Sequence, residues 1–70
     1  MNAVIQITVN GLAENVPAAA TLAQLIVRFG EVDPDLIVEH KDQFIFPQDC
    51  ASKRMAPKER VEFIHSNFGG

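Results

Sequence analysis

The sequence has very few of the residues on which metal sites, redox centres and disulfide-stabilised folds depend. Its 70 residues include one cysteine and two histidines, and they include no tryptophan and no tyrosine. A single cysteine excludes an internal disulfide and a four-thiolate iron–sulfur centre, and it is typical of a reducing compartment. No apolar run approaches the roughly 20 residues that span a bilayer, and the start of the chain does not resemble a signal peptide. We therefore expect a cytoplasmic protein that makes no membrane contact.

Positive charge is also scarce. The formal net charge is −3, and the six Lys and Arg residues form no continuous block. Nucleic acid is therefore not expected as a partner, whereas a protein with a basic surface is. The composition, 47% hydrophobic and 21% charged, is that of a small globular domain, and we expect residues 1–70 to form a single one.

The polar residues form no recognisable catalytic or metal-binding set. His40 and His65 are far apart and have no cysteine cluster beside them, so we interpret both as surface or strand-edge residues. Ser52 and Ser66 lack the companions of a hydrolytic triad, and no glycine-rich phosphate loop is present. Cys50 is interpreted as a half-buried residue rather than a reactive thiol. We expect neither an enzyme nor a bound metal or cofactor.

The N-terminal third predicts a β-hairpin. Val4 to Asn10 alternates apolar and polar residues, which is typical of a half-buried strand. Asn10-Gly11 is a strong turn signal, and Leu12 to Val16 is the returning strand. A two-residue turn would place Glu14 beside Ile7 on the apolar face. Either Glu14 lies at the edge of the sheet or the turn is longer, and the sequence leaves both open.

The spacing of the apolar residues then changes from every second residue to every third or fourth residue, which predicts one helix. Thr21 and Gln24 have the spacing of a capping box, in which each side chain satisfies a free backbone N–H of the first turn. Gly30 supplies a left-handed stop, and Pro34 prevents resumption. The apolar stripe of the helix consists of Leu22, Leu25, Ile26 and Phe29.

Three further strands are predicted after the helix. Leu36 to Glu39 and Gln43 to Phe46 form a second hairpin around a polar turn, His40 to Asp42. Residues 49–51 are expected to form a turn of helix, and Val61 to His65 forms the last strand. We expect Leu25, Phe44, Phe46 and Phe63 to lie in the core, with an exposed face as the alternative for Phe46 and Phe63.

The order β-β-α-β-β-β belongs to the α+β class. The first and last strands are apolar enough to lie at the centre of the sheet. If they are adjacent and parallel, the result is a ubiquitin-like β-grasp fold, a mixed sheet of four to five strands packed on one main helix.

The last residues, Ser66 to Gly70, are expected to form a flexible tail. Five residues extend at most about 17 Å, and Gly69-Gly70 lacks the Cβ atoms that would keep a backbone out of a narrow channel. A terminal carboxylate is ionised at neutral pH and unreactive until ATP converts it to an acyl adenylate. Sulfur can then replace AMP to give a thiocarboxylate. The tail is therefore expected to enter the active site of another protein.

Four segments together resemble a known family. IQITVNG, ATLAQLI, IVEHKDQFIFP and VEFIHSNFGG are similar to segments of the sulfur carriers of thiamine biosynthesis, the ThiS family, which are related to MoaD, the small subunit of molybdopterin synthase. The resemblance covers essentially the whole chain. It implies that Gly70 is adenylated and thiocarboxylated, and that Gly69, Phe68 and Asn67 enter the partner's active site. It further implies three partners: a ThiF-type adenylyltransferase that uses ATP, the thiazole synthase ThiG, and a sulfur donor such as a cysteine desulfurase.

Two features leave alternatives open. The family commonly has an acidic-glycine turn such as DGD before the last strand, where this chain has Ala56 to Arg60, and the loop Cys50 to Ala56 also differs from the sequence typical of the family. The alternatives are a small subunit of molybdopterin synthase, a carrier for another sulfur metabolite, a ubiquitin-like modifier and a plain interaction domain.

The expected docking face surrounds the last strand and comprises Ile64, Glu62 and Lys58, with Phe63 on the core side.

Overall fold

A computed structural model describes residues 3–65, which form a five-stranded sheet covered on one face by one α-helix. The elements are β1 Val4–Val9, β2 Leu12–Pro17, α1 Leu22–Arg28, β3 Ile37–His40, β4 Gln43–Ile45, a 3-10 turn at Pro47–Asp49, and β5 Arg60–Ile64. The strand order is β2-β1-β5-β3-β4, with β1 and β5 parallel and the other neighbours antiparallel. The predicted α+β class, element order and central first and last strands are confirmed. The predicted tail, residues 66–70, lies outside the described residues.

The first hairpin has the two-residue turn that Asn10-Gly11 predicts. Both residues have positive φ, 50° and 84°, and Val9 pairs directly with Leu12. Glu14 therefore lies opposite Ile7. Because β2 is an edge strand, its carboxylate can reach water from the rim of the sheet. The first of the two alternatives for Glu14 is thus correct.

The helix begins and ends where its capping residues predict. The Gln24 backbone N–H donates to Thr21 Oγ1 at 3.2 Å, and the Thr21 backbone N–H donates to Gln24 Oε1 at 2.9 Å. Gly30 has φ of 71° just beyond the helix. Leu22 and Leu25 are buried, and Ile26 and Phe29 pack against the core at its margin.

His40 is not the surface or strand-edge residue that we expected. It is only 7% exposed and belongs to β3, which has a neighbour on each side in the sheet. The reason is that the second hairpin turn is shorter than predicted and contains only Lys41 and Asp42, which have φ of 55° and 63°. His40 therefore pairs with Gln43 as a strand residue and lies on the same face as buried Val38.

Two aromatic residues were also assigned to the wrong environment. Phe63 and Leu25 are buried as predicted, but Phe44 and Phe46 are 69% and 66% exposed. Phe44 lies directly opposite Glu39, which places it on the face of the sheet that the helix does not cover. Phe46 follows β4 and precedes the 3-10 turn.

Candidate functional site

The face of the sheet opposite the helix presents apolar side chains next to the end of β5. Ile37 pairs with Ile64, Glu39 pairs with Glu62, and Glu39 also pairs with Phe44. Residues that are directly opposite each other on neighbouring strands point to the same side. We call this set of five residues the open-face patch.

The apolar members of the open-face patch are accessible to a partner. Ile37 and Ile64 are 36% and 37% exposed, and Phe44 is 69% exposed. A hollow of about 350 Å³ adjoins them and is lined by residues that include Leu36, Phe46 and Phe44. Adjacent exposed apolar groups of this kind are typical of a protein-binding surface.

The two carboxylates of the open-face patch lie on neighbouring strands without a shared cation. Like charges directly opposite each other on a sheet destabilise the pair. The Glu62 carboxylate has a distant contact with Arg60, 3.9 Å from Nη2 to Oε1. Between residues 3 and 65, no ion pair engages Glu39. The patch is therefore complementary to an apolar surface that contains a basic side chain.

The structure brings together only some of the predicted site residues. Ile64 and Glu62 share one side of β5, and Phe63 is buried on the other, as the alternation predicts. Lys58 does not join them, because it lies in the turn before β5, whereas Ile64 is the last residue of that strand. Its backbone N–H donates to the Gln6 carbonyl oxygen at 2.8 Å.

Three of the five residues of the open-face patch were not predicted from the sequence, and the predicted tail residues are not described. Ile37, Glu39 and Phe44 join the patch through strand pairing, and alternation along β3 alone would have grouped only Ile37 with Glu39. Asn67, Phe68, Gly69 and Gly70 lie outside the described residues, so their predicted roles stay predictions.

At the end of β5, one imidazole contacts two carboxylates. His65 Nε2 lies 2.9 Å from Glu31 Oε1, and His65 Nδ1 lies 3.2 Å from Asp33 Oδ2. The other oxygen of Asp33 accepts a hydrogen bond from the Asp35 backbone N–H at 2.8 Å. That backbone bond and the contact with His65 lower the pKa of the Asp33 carboxyl, and they outweigh the opposing effect of burial.

At the start of β5, a second imidazole–carboxylate pair is much less exposed. His40 Nε2 lies 2.8 Å from Glu59 Oε1, which also accepts a hydrogen bond from the Ala56 backbone N–H at 2.8 Å. Lys41 Nζ is 3.6 Å from Glu59 Oε2. Burial raises the pKa of Glu59, but its contacts with Ala56, His40 and Lys41 together lower it below the ordinary value. Glu59 thus holds the turn that replaces the expected acidic-glycine sequence.

Cys50 lies in the core and has the environment of an inert thiol. It is 3% exposed, more buried than we predicted, and its Sγ lies 3.7 Å from the Phe46 carbonyl oxygen. Burial and the nearby Asp49 carboxylate raise the pKa of the thiol. Because the thiolate is the nucleophile, a raised pKa makes Cys50 unreactive at neutral pH.

Two other structural features are absent from the described part of the chain. Within residues 3–65, no group of three His, Cys, Asp or Glu side chains is arranged to hold a metal ion. In the same range, no helix has the length and apolar character needed to cross a membrane.

Comparison with solved structures identifies a similar protein. The thiamine biosynthesis protein ThiS from Geobacter metallireducens superposes with a TM-score of 0.82 and is 19% identical in sequence. The match covers 94% of this chain and 100% of the ThiS chain. No protein-family model matches the sequence, and no curated protein matches it significantly. The chain therefore has the β-grasp fold of ThiS.

Proposed function

We propose that this protein is a sulfur carrier that serves thiamine thiazole biosynthesis. The observation that supports this function most strongly is the fold similarity to a thiamine biosynthesis protein, ThiS, over the whole length of that protein. The Gly69-Gly70 sequence, which follows β5 by a few residues, supports the same function because it supplies a carboxylate that ATP can activate on a segment without Cβ atoms.

The proposed reaction uses the carboxylate of Gly70 in two steps. The carboxylate oxygen first attacks the α-phosphorus of ATP, which forms a C–O–P acyl phosphate linkage to AMP and releases pyrophosphate. A hydrosulfide equivalent then attacks the acyl carbon, so that a C–S bond forms, the C–O bond to AMP breaks, and AMP leaves. The product is a thiocarboxylate, whose sulfur is the nucleophile in the next transfer.

The proposal assigns each chemical step to a partner and leaves docking to this chain. A ThiF-type adenylyltransferase binds ATP and activates Gly70, a sulfur donor such as a cysteine desulfurase supplies sulfur, and the thiazole synthase ThiG receives it. The chain itself acts as a co-substrate in the cytoplasm, not as an enzyme, and binds no cofactor.

We infer that the adenylyltransferase docks on the open-face patch. Ile64 and Ile37 provide apolar area beside the last strand, and Glu39 and Glu62 are cross-strand partners on the same face of the sheet. A partner Arg or Lys between the two carboxylates would remove their repulsion at the moment of docking. Lys58, at the other end of β5, is left as a peripheral contact.

The experiment that tests this function is intact-protein mass spectrometry after sulfur loading. The purified chain is incubated with a ThiF-type adenylyltransferase, ATP and sodium sulfide. The expected result is the mass increase of one sulfur exchanged for one oxygen, located on Gly70 by fragmentation. Omission of ATP is the control and should leave the mass unchanged. An unchanged mass in the complete reaction would contradict the proposal.

Two further measurements separate the proposed carrier from the related classes. The loaded chain should support thiazole formation by ThiG but not the conversion catalysed by the large subunit of molybdopterin synthase. A ladder of isopeptide conjugates in place of sulfur loading would instead identify a protein modifier.

A further inference from the structure

The geometry points to His65 as a positioning residue that fixes the direction in which the chain leaves the sheet toward Gly70. The inference rests on the proposed function, because direction matters only if the terminal carboxylate must reach a partner's active site. We call the contacts of His65 with Glu31 and Asp33 the exit clamp.

Both ring nitrogens of His65 contact a carboxylate in the exit clamp. Nε2 lies 2.9 Å from a Glu31 oxygen and Nδ1 lies 3.2 Å from an Asp33 oxygen. The Nδ1 contact is a hydrogen bond, and the Glu31 contact lies on the other side of the ring. The ring is therefore held from two sides, which fixes both its position and its orientation.

The backbones of Glu31 and Asp33, and also the Asp33 carboxylate, are held by hydrogen bonds in the segment between α1 and β3. The Glu31 backbone N–H donates to the Ile26 carbonyl oxygen at 3.0 Å, which ties Glu31 to the end of the helix. Asp33 accepts from the Asp35 backbone N–H at its carboxylate and from the Leu36 backbone N–H at its carbonyl oxygen. The Glu31 and Asp33 side chains are 17% and 21% exposed, whereas that of His65 is 52% exposed. Two less exposed carboxylates, on a hydrogen-bonded segment, thus hold a more exposed imidazole.

The exit clamp lies one residue beyond the last backbone pairing of β5. Ile64 is the final strand residue and pairs with Ile37 at the beginning of β3. His65 is therefore held by its side chain and not by the sheet. Five residues separate His65 from the end of the sequence. A change in the direction of the chain at His65 would displace Gly70 by several ångströms, and misplacing a reacting group by about 1 Å can cost ~100-fold in rate.

Docking is assigned to the open face of β5, and the direction of the chain after β5 is assigned to the contacts of His65 on the other side. The two roles can therefore be tested separately. Ile64 points to the open face, and His65, the next residue, contacts the segment after the helix. Loss of the clamp should therefore lower kcat for adenylation of this chain and leave its KM unchanged, whereas loss of the open-face patch should raise KM.

The experiment compares His65→Leu, Glu31→Ala and the double variant in steady-state adenylation by a ThiF-type enzyme. Each single variant is expected to lower kcat by about tenfold and to leave KM within about twofold. The double variant should be no slower than the slower of the two single variants, because each single substitution already removes the contact between His65 and Glu31. His65→Arg, whose guanidinium can donate to both carboxylates, should restore most of the rate.

Asp42→Asn is the matched control. It removes one carboxylate from the β3–β4 turn, at the other end of β5 from His65, and Asn tolerates the φ of 63° at this position. Its kcat and KM should equal those of the parent chain. Thermal unfolding of all variants should be nearly unchanged, because exposed ion pairs contribute little to stability. A kcat unaffected by His65→Leu would overturn the inference.

A second measurement does not depend on the adenylating enzyme. Backbone ¹⁵N relaxation of the free chain should show larger fast motion at residue 65 in His65→Leu and in Glu31→Ala than in the parent or in Asp42→Asn. If the parent chain were not adenylated, the proposed function would fail and this measurement alone would decide the clamp. Identical relaxation in all four proteins would reject it.

Discussion

A histidine–carboxylate contact lies at each end of β5, and the two contacts differ in how exposed they are to solvent. At the start, His40 contacts Glu59, and their side chains are 8% and 19% exposed. At the end, His65 contacts Glu31 and Asp33, and its side chain is 52% exposed. Removing one partner of a buried pair leaves an uncompensated polar group, whereas an exposed group finds water instead. The start of β5 should therefore determine stability, and the end should determine function.

The largest effect on function is expected from deleting Gly70. Deletion should lower sulfur loading by more than about 100-fold, because the carboxylate would move back by about 3.4 Å. The free energy of unfolding should change by less than about 0.5 kcal/mol, because Gly70 follows the last strand by several residues. Intact mass and chemical denaturation measure the two quantities.

Extending the chain provides the companion variant to this deletion. One alanine added after Gly70 moves the carboxylate away from the glycine pair and should be equally damaging. Normal loading of either variant would disprove the role of Gly70.

The largest effect on stability is expected from Glu59→Ala. The substitution leaves the buried His40 ring and the Ala56 N–H without their acceptor, and it should lower the free energy of unfolding by about 2 kcal/mol. Sulfur loading should persist while the variant is folded. Urea denaturation measures the loss, and Asp42→Asn serves as the control with no change.

The effect of Glu59→Ala on the free energy of unfolding should depend on pH in a definite direction. The pKa of Glu59 in the folded protein is lowered from an ordinary value of 4.5. The stabilisation is therefore complete above that ordinary value and is lost as the pH falls through the folded value. The difference between Glu59→Ala and the parent chain should shrink in acid. A difference that stayed constant would indicate that ionised Glu59 is not the stabilising group.

Ile64→Asp should have an intermediate effect, limited to docking. A third carboxylate beside Glu62 and Glu39 would add repulsion and remove apolar area from the open-face patch. KM for the adenylating enzyme should rise by about tenfold, which corresponds to about 1.4 kcal/mol. The exposed control Val27→Asp lies on the helix and should leave KM unchanged. Equal KM values for the two variants would show that the enzyme docks elsewhere.

Cys50→Ser is expected to have the smallest effect on function. The thiol is buried and its pKa is raised, so it is not available to transfer sulfur. The variant should accept sulfur at the parental rate, even though a buried hydroxyl costs about 1 kcal/mol of stability. Loss of loading in a folded variant would instead place Cys50 in the sulfur relay.

The sequence predicted those features that depend on neighbours along the chain. Thr21 and Gln24 define the start of the helix, and Asn10-Gly11 defines the first turn, because each signal acts within four residues. The burial of His40 and the exposure of Phe44 were not predicted, because both depend on which residues of β3, β4 and β5 pair across the sheet.

The candidate site was predicted in part for the same reason. Ile64 followed from alternation along one strand, whereas Ile37 and Glu39 join it only through the register of two strands, in which each pairs with a residue more than 20 positions away along the chain. The exit clamp was missed altogether, because nothing local to His65 indicates that Glu31 and Asp33 lie beside it.

The position of Glu14 bears on how the protein behaves in a crowded solution. An exposed sheet edge invites another chain to add a strand, and charged side chains that point inward from the edge oppose this addition. Glu14 lies on the apolar side of the edge strand β2, and the opposite edge, β4, has only three residues. Addition of a strand from another chain is thereby disfavoured at both edges of the sheet. A small chain with an exposed apolar patch is thus protected from aggregation at both edges of its sheet, which the proposed exchange among several enzymes requires.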